Sequence, residues 1–233
     1  MDTLSKDERK PIHIPNLPDT SRLLKRIDHL LRRLMDLSAS LLGIIVLSPV
    51  FLALAILIKR DSPGPVFYWG KRAGLGGRTF KILKFRTMYE NPQSYQGTKV
   101  TAEGDPRITR VGAWLRDTKL NELPQLWNVL IGDMSLVGPR PEDPEIAARW
   151  SQEVQDEILS VRPGITSPAS VLYRNEESQL NSSTVMDQYL LEVLPSKLRL
   201  DQLYVRRRTL FTDIDVIFWT LMILLPRVNQ FSI

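Results

Sequence analysis

Cysteine is absent from this chain of 233 residues, and histidine occurs only twice, at His13 and His29. The absence of cysteine excludes thiol nucleophiles, disulfides and cysteine-ligated zinc. Both histidines precede the predicted core and lie in a basic arm, which argues against histidine acid–base catalysis and against a histidine metal site. Carboxylates, lysines and arginines remain for chemistry, together with a hard divalent cation such as Mg²⁺.

The charge balance is positive, with 31 Lys and Arg against 26 Asp and Glu and a net charge of +5. Such an excess suits an anionic partner: a phosphate-bearing substrate, lipid headgroups or nucleic acid. Nucleic-acid binding would require basic patches interleaved with aromatic residues or a known binding motif, and the sequence shows neither. We therefore expect a phosphate-bearing substrate or membrane lipids, and no nucleic acid.

One uncharged run, from Leu37 to Ile58, has about 22 residues, enough for a helix to span a bilayer. Ser48-Pro49 lies at its middle, where a proline removes a backbone hydrogen bond and kinks a helix. Basic residues flank both ends of the run, and the positive-inside rule places both flanks on the cytoplasmic side. Two interpretations stay open: a single-pass anchor, or a re-entrant helix broken at Ser48-Pro49 that enters and leaves on one face.

The pattern along the chain divides it into three regions. Residues 1–20 read as a flexible polar arm, 21–60 as an amphipathic lead-in followed by the membrane helix, and 61–233 as one cytoplasmic domain. Alternating helical and strand-like segments in the last region predict an α-rich α/β fold. Thr212-Asp213 is predicted to cap a final apolar helix, which is too short to span a membrane and suits its interface. Amphipathic helices at either end are also compatible with a homodimer.

The most informative stretch runs from Arg116 to Pro141. Apolar residues recur there with helical spacing, and the pattern predicts a helix that begins near Leu120 to Asn121 and stops at Gly132. Asn121 and Glu122 would stand at the helix N-terminus, where free N–H groups and the helix dipole favour an anion. An acidic residue beside such a helix end, with Arg116 and Arg140 near it in sequence, indicates phosphoryl chemistry. The preceding segment 79–88 carries Lys81, Lys84 and Arg86, which either converge on a common anion or form a solvated basic strand face.

Several ordered motifs resemble the bacterial sugar transferase family, the small monotopic polyprenyl-phosphate phosphoglycosyl transferases. The resemblance extends from about Leu34 to the C-terminus. The motifs that carry it are Pro63-Gly64-Pro65-Val66-Phe67, Lys84-Phe85-Arg86-Thr87-Met88, Asp105-Pro106-Arg107-Ile108-Thr109, Glu122-Leu123-Pro124-Gln125, 133–141 (DMSLVGPRP) and Arg162-Pro163-Gly164-Ile165-Thr166.

The resemblance implies a re-entrant membrane helix broken at Ser48-Pro49 and a small catalytic domain on the cytoplasmic face of the bacterial inner membrane. It implies transfer of a sugar-1-phosphate from a UDP-sugar to undecaprenyl phosphate with release of UMP. This is the initiating step of a surface glycan: O-antigen, capsule, exopolysaccharide or glycoprotein glycan. It also implies Mg²⁺ as cofactor.

By the same resemblance, Glu122 is a catalytic residue and a metal ligand. Arg116 and Arg140 match phosphate-binding arginines, and Lys84 and Arg86 lie in the family's basic strand. Repulsion between two phosphates and a carboxylate has to be neutralised by such cations.

Asn121 departs from the family pattern, because it stands where the family usually has a nucleophilic Asp. An amide is a poor nucleophile and cannot form the acyl phosphate that a carboxylate forms. Four explanations stay open: an inactivating substitution, a natural branch that uses Asn, a carboxylate supplied by Glu122 or Asp117, or direct transfer between bound phosphates. A catalytically silent relative that binds nucleotide sugar and lipid phosphate is the alternative function.

Overall fold

A computed structural model of the chain describes residues 20–91, 94, 98, 100–102, 104–174 and 185–224. The polar arm predicted at 1–20 lies outside these residues except for its last position. Helices are in order α1 (Thr20–Asp61), α2 (Arg110–Asp117), α3 (Gln125–Ile131), α4 (Pro144–Ala147), α5 (Gln152–Ile158), α6 (Pro168–Leu172), α7 (Val185–Gln188), α8 (Leu194–Arg207) and α9 (Leu210–Leu224). Strands are β1 (Phe67–Ala73), β2 (Thr79–Phe85), β3 (Ser135–Val137) and β4 (Gly164–Thr166). The α-rich α/β class predicted from the sequence is confirmed.

The N-terminal helix α1 has 42 residues, which corresponds to about 63 Å of helix. It is the one helix among the described residues that is long and apolar enough to cross a membrane. Helical structure continues across Ser48-Pro49, so this pair does not divide the helix into two separate elements. Proline leaves the carbonyl four residues before it without an N–H donor, and here the hydroxyl of Ser48 donates to that oxygen, Ile45 O, at 2.8 Å. Re-entrant insertion into a membrane stays a prediction.

Polar contacts fasten α1 to the domain just ahead of its apolar run. Arg33 donates to the carbonyls of Val129 and Leu130 at the C-terminal end of α3, at 2.8 and 3.1 Å. Three residues further on, Asp36 accepts from the backbone N–H of Leu136 in β3 at 2.9 Å. Cations suit the C-terminal end of a helix, where unpaired carbonyls and the dipole concentrate negative charge.

The far end of α1 belongs to the domain core. Leu54 and Ile58 are each 3% exposed and pack with Phe85 and Leu115. The rings of Phe51 and Phe85 meet edge to face, with centroids 5.6 Å apart. Helix α1 is therefore part of the folded domain at both ends of its apolar run.

Two small sheets arrange the polar loops. Strands β1 and β2 form an antiparallel hairpin that pairs Phe67 with Phe85. Strands β3 and β4 are parallel and pair Ser135 with Gly164. Helix α3 packs against both β2 and β3. This packing brings three segments to one cavity: strand β2, the turn before α3 and the loop after β3.

Candidate active site

A tight turn presents Asn121 and Glu122 between α2 and α3. Lys119 takes a left-handed conformation with φ of 59°, and a 3₁₀ turn follows over Leu120–Glu122. The helix that was predicted to begin near Leu120 starts at Gln125 as an α-helix and stops at Gly132 as expected, with φ of 95°. Asn121 and Glu122 are 8% and 9% exposed, so both side chains sit in the interior rather than at an open helix end.

Glu122 joins two basic residues that are distant in sequence. Its Oε1 lies 2.8 Å from Lys84 Nζ of β2 and 2.5 Å from Arg140 Nη2, and its Oε2 accepts from Arg140 Nη1 at 3.2 Å. Arg140 is held there by the segment Gly138-Pro139-Arg140-Pro141, in which two prolines restrict the backbone. Gly138 allows this segment to approach the residues that precede β4, since a Cβ on it would lie 2.4 Å from Arg162 O.

Burial and charge oppose each other in this triad. Burial alone would raise the pKa of the Glu122 carboxyl, but the cations Arg140 and Lys84 outweigh it and hold that pKa well below its ordinary value. For Lys84, burial dominates over the attraction of Glu122 and lowers the pKa of the amine to about 8. At neutral pH the triad therefore carries one negative and two positive charges, a net positive centre suited to an additional anion.

Asn121 has a buried oxygen that the described residues leave unsatisfied. Its Oδ1 has no hydrogen-bond partner among them, and an unpaired buried polar atom costs about 1–3 kcal/mol. A bound group that donates to this oxygen or coordinates it would remove that cost. Asn121 is next to Glu122 in sequence, and both residues line the same cavity.

A cavity of about 530 Å³ brings all six predicted site residues of the domain together. That volume lies within the range of small-molecule sites. Its lining includes Lys84, Arg86, Arg116, Asn121, Glu122 and Arg140. The other two predicted positions, Ser48 and Pro49, lie on α1 and are not among the lining residues.

Arg86 has a structural environment that the sequence did not reveal. Its guanidinium donates to Pro65 O at 2.6 Å, to Ser62 Oγ and Ser62 O at 2.8 Å, and to Pro63 O at 3.0 Å. The side chain is 4% exposed, and its donors organise the turn between α1 and β1. Its predicted binding of a substrate phosphate remains a prediction.

Arg116 reaches the cavity from α2. Its guanidinium donates to Thr87 Oγ1 at 3.4 Å and to Thr101 Oγ1. Both of these partners are neutral hydroxyl groups.

Sequence reasoning missed a second polar group beneath Arg140. Lys197 on α8 is 3% exposed and lies 3.9 Å from Glu142, which accepts a hydrogen bond from the hydroxyl of Tyr189. Asp201 accepts from the backbone N–H of Arg140 at 3.4 Å, and burial raises its pKa to about 7. No motif marks these residues, because they lie on a helix about 60 positions away and act through tertiary contacts alone.

The residues present suit a magnesium ion only in the mode that shares it with substrate. The described residues contain no group of three or more His, Cys, Asp or Glu side chains placed to hold a metal. Mg²⁺ is commonly held by one or two protein oxygens together with substrate phosphates and water. Glu122 and the unsatisfied Oδ1 of Asn121 supply oxygens of that kind.

Sequence comparison with known proteins identifies a matching family and several relatives. The sequence model of the family described as bacterial sugar transferase matches residues 27–227. An undecaprenyl-phosphate glucose phosphotransferase from Komagataeibacter xylinus is 38% identical over 205 residues, which cover 86% of this chain and 37% of that protein. A UDP-N-acetylgalactosamine-undecaprenyl-phosphate N-acetylgalactosaminephosphotransferase from Aeromonas hydrophila is 34% identical over 229 residues, covering 90% of this chain and 51% of the relative.

The chain thus spans between about a third and a half of the length of these two relatives. Another relative is similar in length: the exopolysaccharide production protein ExoY from Rhizobium meliloti is 34% identical over 221 residues, which cover 88% of this chain and 90% of that protein.

Proposed function

This chain belongs to the bacterial sugar transferase family, and on that premise we propose that it transfers a sugar-1-phosphate from a UDP-sugar to undecaprenyl phosphate and releases UMP. The observation that carries the proposal is the cavity in which Lys84 and Arg140 meet at Glu122. Relatives named for this kind of transfer support it. Their names differ in the sugar, so the identity of the sugar is left open, and the product would begin a surface glycan.

The charges in the cavity suit a reaction between two phosphates. Lys84, Arg116 and Arg140 would offset the repulsion between the donor diphosphate and the acceptor phosphate, which is the main electrostatic barrier to phosphoryl transfer. Glu122 positions Lys84 and Arg140 through its ion pairs. Mg²⁺ held by Glu122 and Asn121 would supply further neutralisation of phosphate charge.

Asn121 bears on how the phosphate is transferred. Its amide forms no acyl phosphate. Both oxygens of Glu122 pair with Lys84 or Arg140, which makes this carboxylate a weak nucleophile but leaves it lone pairs for a metal ion. We therefore propose direct transfer: an oxygen of the lipid phosphate attacks the donor phosphorus nearest the sugar. The bond from that phosphorus to the bridging oxygen breaks, and UMP leaves with that oxygen.

Asn121→Asp tests both the reaction and the route. UMP release is measured for both chains with a panel of UDP-sugars, undecaprenyl phosphate and Mg²⁺, and a donor labelled in the sugar is used to trap protein-bound phosphosugar. We expect UMP release by the chain with Asn121 and no labelled protein. Activity confined to the Asp variant would instead identify the chain with Asn121 as a disabled form of a two-step enzyme, which is the alternative function. No release by either chain would refute the transfer.

We further propose that α1 enters the membrane as a re-entrant helix from the cytoplasmic face of the inner membrane. Pro49 at the middle of the apolar run and basic residues at both of its ends support this arrangement. The absence of cysteine makes the test free of background: single cysteines at Lys25 and Lys59 should both react with a membrane-impermeant thiol reagent only from the cytoplasmic side. Labelling of the two positions from opposite sides would show a spanning helix.

A further inference from the structure

The cavity lining includes five apolar residues from outside the sheets, which we call the apolar wall. Leu123 and Leu126 come from the turn before α3 and its first residues, Val171 comes from α6, and Ile223 and Leu224 come from the last turn of α9. None of these side chains has a polar group, so none can hydrogen-bond a sugar, a uracil or a phosphate. They suit hydrocarbon.

Two contacts fix the end of α9 over the cavity. Thr220 Oγ1 lies 2.8 Å from Thr166 Oγ1 of β4, and the guanidinium of Arg174 donates to the carbonyl of Ile223. The second contact also satisfies one of the carbonyls that a helix leaves open at its C-terminus. These contacts therefore hold Ile223 and Leu224 in place in the cavity lining.

The apolar wall continues into surfaces that are themselves apolar and exposed. On α9, Phe211, Phe218 and Trp219 are 78%, 55% and 59% exposed. On the other side, Leu126 contacts α1, since its Cδ1 lies 3.0 Å from the position that a Cβ on Gly43 would occupy. Leu126 therefore joins the apolar surface of α1 to the cavity lining.

We propose that this wall binds the isoprene units next to the phosphate of the polyprenyl phosphate acceptor; the inference rests on the proposed function. The cationic residues Lys84 and Arg140 lie in the same cavity and would take the acceptor's phosphate, so the two parts of one amphipathic ligand meet two matching parts of one site. Charge at one end and hydrocarbon at the other identify a lipid phosphate rather than a free phosphate as the occupant.

Photocrosslinking locates the lipid chain directly. A polyprenyl phosphate with a diazirine on the isoprene unit nearest the phosphate is added to the full chain in nanodiscs, and the labelled peptides are mapped by mass spectrometry. We expect labels within 123–126, at Val171 and at 223–224, and their loss when unlabelled polyprenyl phosphate competes. Labels confined to the outward face of α1, for example at Leu42 and Val46, would overturn the proposal.

Equilibrium binding gives an independent test with a matched control. Val171→Asn places an amide in the apolar wall and should weaken binding of a long-chain polyprenyl phosphate on the order of tenfold. Leu172→Asn changes the neighbouring residue, which is 68% exposed and does not line the cavity, and should leave binding unchanged. Methyl phosphate, which has no isoprene chain, should bind both variants as it binds the original chain. Equal weakening by both variants, or weakening of methyl phosphate alone, would overturn the proposal.

The two proposals fail in distinguishable ways. Crosslinks in the apolar wall without UMP release would keep the lipid site and refute the transfer. UMP release without crosslinks in the wall would keep the transfer and refute the lipid site.

Discussion

The protonation of Lys84 should set the upper pH limit of the reaction. Its pKa of about 8, against 10.5 for an exposed lysine, reflects a penalty of about 3 kcal/mol on the charged form. With that pKa, about nine-tenths of the molecules carry the positive charge at about pH 7 and about one-tenth carry it at about pH 9. If the charged amine is needed to hold a phosphate, activity should fall about tenfold between these two pH values.

The assay is the rate of UMP release at low substrate concentration across this pH range, together with equilibrium binding of UDP, which requires no turnover. A phosphate monoester loses its second proton near pH 6, so the acceptor contributes no change above about pH 7. Lys84→Arg is the decisive variant, because a guanidinium stays charged throughout and should abolish the fall in UDP binding. The same fall in the Arg variant would refute the assignment to Lys84.

Unfolding at high pH would not explain this fall in activity, because the effect of Lys84 on stability has the opposite sign. The folded-state pKa of Lys84 lies below its unfolded value, so between about pH 8 and pH 10.5 the unfolded chain binds more protons than the folded chain. The contribution of Lys84 to the free energy of unfolding therefore rises with pH in this window. Thermal unfolding measured beside the activity should show no loss of folded protein on account of Lys84.

Three further substitutions test the packing around the site, each by thermal or denaturant unfolding. Gly112→Ala should destabilise by about 3 kcal/mol, because a Cβ would lie 2.1 Å from Thr87 O in a well-packed contact between backbones. Arg86→Lys should cost about 2–4 kcal/mol, since one ammonium cannot replace a planar guanidinium that bonds several carbonyls of the turn before β1. Asp36→Ala should cost about 2–3 kcal/mol, because it leaves the N–H of Leu136 without its carboxylate acceptor.

Exposed neighbours provide the matched controls. Ala113→Ser, Arg110→Lys and Asp117→Ala change similar side chains on α2 that face solvent, and each should shift stability by no more than about 0.5 kcal/mol. A variant in the packed set that behaves like its exposed control would show that the contact assigned to it contributes little.

Local signals in the sequence were sufficient for several elements. The uncharged run predicted the helix that became α1, and Gly132 ends α3 because its φ of 95° is accessible to glycine at little cost. Glu122 beside a predicted helix end, with Arg116 and Arg140 near it in sequence, indicated phosphoryl chemistry, and Glu122 and Arg140 form an ion pair.

Other features depend on contacts between distant parts of the chain. Thr212-Asp213 was predicted to cap the last helix, but α9 begins earlier, at Leu210. Thr209 and Thr212 form the cap together, since the side chain of each accepts from the backbone N–H of the other, at 3.2 and 2.7 Å. Asp213 is fully buried and lies 2.9 Å from Arg32 of α1. A capping pattern is read from neighbouring residues, whereas the partner of Asp213 is about 180 positions away.

The same limit applies to the basic strand. Lys84 and Arg86 are two positions apart and look equivalent in sequence, but Lys84 meets Glu122 and Arg86 meets the turn after α1. Successive residues of the same parity share a face of a strand, so alternation alone could not separate their environments. The difference arises at the end of β2, where Arg86 lies beyond the last paired residue, Phe85.

Helix α1 is attached to the domain at both ends of its apolar run, through Arg33 and Asp36 at one end and Leu54 and Ile58 at the other. If α1 enters a membrane as proposed, these contacts make the depth of α1 in the bilayer determine the height of Glu122 above the lipid headgroups. Bilayers of different thickness would present the same reactive centre at different distances from the phosphates of their lipids. Membrane thickness would then affect the rate of the proposed transfer, because it would change the distance between Glu122 and the phosphates of the lipids.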